Sequence, residues 1–192
     1  GDHRDLHPRV RRQRQMCIRD SPYFVEDIKR EPNTYKDIII KSFVIGKYFK
    51  RRTVPGEHVA MLLPNSIAAL CTFFGLSAYD RVPVMLNFSV GARNMASMCK
   101  TAQVKKVITS ISFIKTAKME AVVDVLKADG YEVVFLEKMA KEIGLWSKIN
   151  AFLRYKIKRV PHRDGGNKKA VILFTSGSEG APKAVVLSLS LI

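Results

Sequence analysis

Five apolar residues, Ala170-Val171-Ile172-Leu173-Phe174, break abruptly into Thr175-Ser176-Gly177-Ser178-Glu179-Gly180, followed by Ala181, Pro182 and Lys183. The run has the length and composition of a buried strand, so the loop is delivered from the end of a sheet strand. Glycines let backbone N–H groups converge on an anion, hydroxyls add donors, and a lysine supplies a point positive charge. A loop built this way can hold the phosphates of a nucleotide. It is not a Walker A loop: five residues separate Gly177 from Lys183, and Ala184 stands where a Ser or Thr would bind magnesium.

The chain ahead of this loop alternates between two periodicities. Thr34 to Arg52 reads as a helix closed by Pro55-Gly56, and His58 to Leu63 as a strand stopped by Pro64. Asn65 or Ser66 can cap a helix over Ile67–Tyr79, which is apolar nearly all round and therefore buried. With Pro64 before it and Asp80-Arg81 after, that helix is too short to span a bilayer. Val82–Leu86 is a second strand, and Ala92, Met95, Ala96 and Cys99 recur at helical spacing. Lys106–Thr109 is a third strand, Phe113–Ala128 a helix ended by Asp129-Gly130, and Tyr131–Leu136 a fourth strand. The strand feeding the loop is expected to be the last. Alternation of this kind predicts an α/β fold, a parallel sheet flanked by helices, with ligands gathered at the carboxyl ends of the strands.

The two ends are expected to be foreign to that fold. Residues 11–21, RRQRQMCIRDS, and residues 1–7, GDHRDLH, are in-frame translations of the two parts of a sequencing-library adapter. Leu189-Ser190-Leu191-Ile192 matches the start of the adapter's reverse complement. The division expected is 1–21 adapter-derived, 22–188 partial domain and 189–192 adapter-derived. Setting aside residues 1–21 removes six Arg and three Asp from a net charge of +16, leaving 27 Lys and Arg against 14 Asp and Glu, or +13. Cys17 goes with them. Cys71 and Cys99, both in apolar helical patterns, are too far apart for a metal motif and read as buried free thiols in a reducing compartment. The basic charge suits acidic partners such as ATP, an acidic carrier protein or an anionic membrane face. No aromatic-plus-basic module or helix-turn-helix pattern supports nucleic-acid binding.

The string from Ile172 to Lys183 resembles the phosphate-loop signature of the AMP-forming adenylating enzymes, a superfamily of acyl-CoA and acyl-ACP synthetases, luciferases and peptide-synthetase adenylation domains. That signature runs from apolar residues through Thr/Ser-Ser-Gly-Ser/Thr, a variable residue and Gly to Pro-Lys, and every position is filled here. Ala184 departs from the Gly usual after the lysine. Asn33-Thr34-Tyr35-Lys36-Asp37-Ile38 resembles the opening motif of these domains, Ala60–Asn65 their first core strand and Pro83–Phe88 their second. A finer resemblance, to the synthetase half of bacterial bifunctional acyl-ACP synthetase/2-acylglycerophosphoethanolamine acyltransferases, is carried by MLLPN at 61–65, VPVMLNFSVGARN at 82–94, KTAQVKKVITS at 100–110 and ILFTSGSEG at 172–180.

The resemblance implies the N-terminal part of the adenylating-enzyme large domain. It implies ATP with Mg²⁺, and Thr175, Ser176, Gly177, Ser178, Gly180 and Lys183 as the phosphate-binding residues. The magnesium carboxylate, the adenine and ribose contacts and the lysine of the small C-terminal domain would lie downstream of Ser188, so no catalytic or metal-ligating residue is expected within 22–188. The implied partners are a fatty acid, then the phosphopantetheine of acyl carrier protein or else CoA, and a lysophospholipid in the bifunctional enzyme. That enzyme would work at the cytoplasmic side of a bacterial inner membrane. Two other readings stay open: a generic acyl-CoA synthetase, and a non-catalytic basic membrane-surface module.

Two further segments carry a signal. His162-Arg163-Asp164 has the letters of a kinase catalytic loop, but Lys169 occupies the position needed for asparagine, and a polar linker explains HRDGGNKK better. In Leu145–Arg159, Leu145, Trp146, Ile149, Phe152, Leu153 and Ile157 share one helical face while Lys148, Arg154, Lys156, Lys158 and Arg159 fill the rest. Such a helix can make a peripheral membrane contact or pack on its own domain.

Overall fold

A computed structural model describes residues 25–26, 32–144, 153, 168–175 and 183–188. A short antiparallel pair, β1 (Val25–Glu26) and β2 (Pro32–Asn33), precedes helix α1 (Tyr35–Lys50). Thr34 caps α1: its hydroxyl accepts from the Asp37 N–H at 3.2 Å, and the Asp37 carboxylate takes the Thr34 N–H at 3.1 Å. This reciprocal arrangement satisfies two of the orphan donors of the first turn. Then follow β3 (His58–Met61), α2 (Ile67–Ala78), β4 (Val82–Met85), α3 (Ala92–Thr101) and β5 (Lys106–Thr109). The chain continues through α4 (Ile111–Thr116), α5 (Glu120–Ala128), β6 (Glu132–Phe135), α6 (Leu136–Glu142), β7 (Lys169–Thr175) and β8 (Lys183–Ser188).

The main sheet has the order β6-β5-β3-β4-β7-β8, parallel throughout except that β8 runs antiparallel to β7. Successive residues of a strand point to opposite faces, and β3 shows it. Val59 and Met61 join Ile108, Val134 and side chains of α1, α2 and α6 on one face. Ala60 and Leu62 join Val84, Val107, Ile172 and side chains of α3, α4 and α5 on the other. The chain steps one way from β3 to β4 and back the other way to β5. Right-handed crossovers therefore place α2 and α3 on opposite faces. Both faces are covered, which is why the strands are apolar runs rather than alternating ones.

Helices α1 and α2 meet through glycines. A Cβ on Gly46 would stand 2.3 Å from the Gly75 carbonyl oxygen, and one on Gly75 would stand 2.6 Å from that of Ser42. Nearby, the buried Arg81 side chain ties the end of α1 to the start of β4. Its Nε donates to Thr53 Oγ1 at 2.7 Å and its Nη2 to the Lys50 carbonyl at 3.2 Å, with further bonds to the carbonyls of Tyr79 and Thr53. Burial lowers the pKa of this guanidinium from its ordinary value.

Three expectations are corrected. The helix expected over Phe113–Ala128 is two helices, α4 and α5. Lys118 adopts φ 53° and Met119 N donates to Ile114 O at 2.9 Å, closing α4 with a left-handed cap that carries no glycine to announce it. The strand feeding the loop is not the last: β8 returns along it, making the sheet mixed. Finally, α6 occupies Leu136–Glu142, where the expected fourth strand ended and no helix was foreseen. Ser66, rather than Asn65, caps α2, accepting from the Ala69 N–H at 3.2 Å. Cys71 and Cys99 are buried free thiols, and burial pushes the Cys99 thiol up to about 12.

Candidate functional site

The carboxyl edge of the sheet gathers the segments that leave β3, β4, β5, β6 and β7. Here β3 and β4 are neighbours whose outgoing connections pass to opposite faces, the topology at whose carboxyl edge parallel α/β sheets bind ligands. Strand β7 lies beside β4, with Val84 opposite Ile172, so Thr175 emerges at the same edge.

Thr175 ends β7, Lys183 begins β8, and the two are cross-strand partners. Both are exposed. Directly opposed antiparallel residues have Cα atoms about 5 Å apart, so the last residue of β7 and the first of β8 form a narrow base. The base carries a hydroxyl on one side and an ammonium on the other. Of the six residues expected to hold phosphate, Thr175 and Lys183 are brought together in this way. Ser176, Gly177, Ser178 and Gly180 lie outside the described residues, as do His162-Arg163-Asp164 and all of 145–159 except the exposed, helical Leu153. The donor set at the base suits an anion. Among the described residues no group of three or more His, Cys, Asp and Glu side chains could hold a metal ion.

The rest of the edge is built from polar residues that turn back onto the backbone. Thr109 Oγ1, fully buried, donates to the Leu62 carbonyl at 2.8 Å, closing the ladder where β3 leaves the sheet. Asn87 Oδ1 accepts from Ser89 N at 3.0 Å and Ser89 Oγ at 2.8 Å, shaping the turn after β4. Phe88 is exposed and meets Phe113 edge to face, with ring centroids 5.6 Å apart. Glu137 accepts from Ser110 Oγ at 2.6 Å, Ile111 N at 2.9 Å and Ser112 N at 3.2 Å. Burial alone would raise the Glu137 pKa, but these hydrogen bonds outweigh it and hold the carboxyl below its ordinary value. Sequence reading did not find the pair of Ser110 and Glu137, since 27 positions separate the cap from the helix it caps.

Comparison with known proteins agrees with this architecture. The family described as "AMP-binding enzyme" matches residues 17–190. A curated relative, the long-chain-fatty-acid–CoA ligase FadD13 of Mycobacterium tuberculosis, is 27% identical over 131 residues, which cover 68% of this chain and 24% of that protein. The chain thus spans about a quarter of that relative's length. Among solved structures, the N-terminal domain of FACL13 from Mycobacterium tuberculosis superposes with TM-score 0.69 at 22% identity, over 93% of this chain and 43% of that one. VinN gives 0.65 at 21% identity, over 92% of this chain and 44% of that one. With a family match running through nearly the whole chain and a mostly parallel sheet shared with such domains, this protein belongs to the AMP-binding enzyme family.

Proposed function

We propose that the chain carries the phosphate-holding part of an AMP-forming ligase that activates a fatty acid. One observation carries the reading: Thr175 and Lys183 face each other across the base of the Ser/Gly loop, at the carboxyl edge of a parallel sheet. ATP, accompanied by Mg²⁺, supplies an α-phosphate that the fatty-acid carboxylate attacks. The products are an acyl-adenylate and pyrophosphate, and a thiol then takes the acyl group. The chain's own task is to position the nucleotide and neutralise developing phosphate charge. The loop's N–H groups around Gly177 and Gly180, with the hydroxyls of Thr175, Ser176 and Ser178, hold the phosphates. Lys183 adds a full positive charge at the loop's far end.

For the thiol, the strings at 61–65, 82–94, 100–110 and 172–180 favour the phosphopantetheine of acyl carrier protein. A lysophospholipid would then receive the acyl chain in a bifunctional enzyme working at a bacterial inner membrane. A second reading, CoA as the acceptor, is favoured by the name of the relative FadD13, a long-chain-fatty-acid–CoA ligase. The test uses the full-length enzyme. Fatty-acid-dependent exchange of labelled pyrophosphate into ATP is expected, and its absence overturns the activation reading. Offering the preformed acyl-adenylate to carrier protein and to CoA in parallel decides the acceptor.

A further inference from the structure

The amino edge of the sheet, opposite the edge that carries Thr175 and Lys183, is lined by cations that the proposed activity does not use. Lys50 and Arg51 lie where α1 ends, Lys105 precedes β5, and Lys168 and Lys169 stand at the start of β7; all five are exposed. Hydrogen bonds and an ion pair tie the segments that carry them together. Lys169 Nζ is 3.4 Å from His58 Nε2, and His58 Nδ1 is 2.6 Å from the Ala102 carbonyl, just ahead of Lys105. Lys168 Nζ is 3.3 Å from the Asp80 carboxylate, and Arg81 next to it reaches the Lys50 carbonyl.

Helix ends attract lysines because the macrodipole is negative there, which accounts for Lys50 and Arg51. It does not account for Lys105, Lys168 and Lys169, which lie outside any helix. Of the carboxylates at the same edge, Asp80 pairs with Lys168, and two others are bonded outside the five cations. Glu57 accepts the Val54 N–H at 2.8 Å, and Glu132 is paired with Lys106. Among these cations one apolar side chain stands out from the surface: Val54 is 65% exposed. Its turn is held rigidly, with Glu57 N donating to Val54 O at 3.1 Å and Gly56 N to Asp80 O at 2.6 Å.

We propose that this amino edge docks on an anionic membrane surface, with the cations over the headgroups and Val54 entering the interface. Cations spread over separate turns around a single apolar tip match a broad, fluid, negatively charged surface. A protein partner would instead bury a cluster of well-packed anchor side chains, whereas Val54 is the single exposed large apolar side chain among these cations. Docked this way, the carboxyl edge faces the aqueous phase and remains open to ligands. The inference does not rest on the adenylation reading, because its test uses neither ATP nor a fatty acid.

The test is co-sedimentation of the 192-residue chain with phosphatidylcholine vesicles, with and without phosphatidylglycerol. Binding to the anionic vesicles alone, weakened by added salt, is expected. The combined variant Arg51→Glu/Lys105→Glu/Lys169→Glu should lose at least about tenfold in vesicle affinity, since each surface-proximal cation is worth roughly fivefold. The combined control Arg93→Glu/Lys115→Glu/Lys138→Glu changes net charge equally, on other exposed positions, and should lose far less. Val54→Asp, at an exposed position, should weaken binding as well while the thermal midpoint stays unchanged. Equal losses in the two triple variants would overturn the proposal. So would full binding by Val54→Asp, or binding to soluble polyglutamate without binding to vesicles.

Discussion

Glu137 and Lys183 place opposite charges at the carboxyl edge of the sheet. The Glu137 pKa is depressed in the folded chain, so its contribution to stability is present above its unfolded value and is lost as pH falls through the folded value. Glu137→Gln should therefore cost about 1 kcal/mol near neutral pH, as expected for charge-assisted bonds at a partly exposed cap. The gap from the parent chain should close as the pH is lowered well below 4.5, the ordinary glutamate value. Urea titrations of both proteins at neutral and acid pH measure this. Lys183→Ala, in the full-length enzyme, should remove a charge-assisted contact of roughly 1.5–3 kcal/mol, or one to two decades in the adenylation half-reaction. Thiol transfer from preformed acyl-adenylate should change much less, because pyrophosphate has already left. Equal losses in both half-reactions with the fold intact would remove the phosphate role from Lys183.

The helices share one way of stopping. Helices α2, α3, α4 and α5 each end with an N–H reaching back five residues: Arg81 to Leu76, Val104 to Cys99, Met119 to Ile114 and Tyr131 to Leu126. The residue before each donor has positive φ, yet only Gly130 is a glycine; the others are Asp80, Gln103 and Lys118. A side chain costs roughly 1–2 kcal/mol in that conformation. Lys118→Gly should therefore raise the stability of the chain by up to about 1 kcal/mol, and a rise in the denaturation midpoint is the check. Where α1 crosses α2 the opposite holds. Gly75→Ala places a methyl 2.6 Å from the Ser42 carbonyl, a backbone atom that cannot step aside cheaply. A loss of about 1–3 kcal/mol is expected. The contrast explains why Asp129-Gly130 could be read as a stop while Lys118 could not. The stop at 118 is a backbone conformation, and a lysine does not display it.

At the scale of the whole molecule, the sheet is covered on both faces in its middle and thinly covered at β8. Among the described residues β8 pairs only with β7, and Val185 and Val186, whose side chains point to opposite faces, are 39% and 46% exposed. An apolar strand with an open edge is a template for pairing with another chain. The chain by itself should therefore self-associate as its concentration rises. Val186→Lys should shift it toward monomer, read by light scattering after size exclusion, whereas unchanged association would place the sticky surface elsewhere.

The strand and helix alternation, the buried cysteines, a cap at Asn65 or Ser66 and the glycine and hydroxyl make-up of the stretch from Thr175 to Lys183 can all be read from the chain alone. Each of these is written in residues close together in the chain, as a period, a cap or a cluster of glycines and hydroxyls. The strand order, the return of β8 that sets Lys183 opposite Thr175, the break at Lys118 and the capping of Ser110–Ser112 by Glu137 arise only once the chain has packed. Those features depend on groups far apart in sequence, or on a backbone conformation that a neighbouring fold imposes against local preference. Short-range patterns in the chain carry no trace of either until packing brings the partners together.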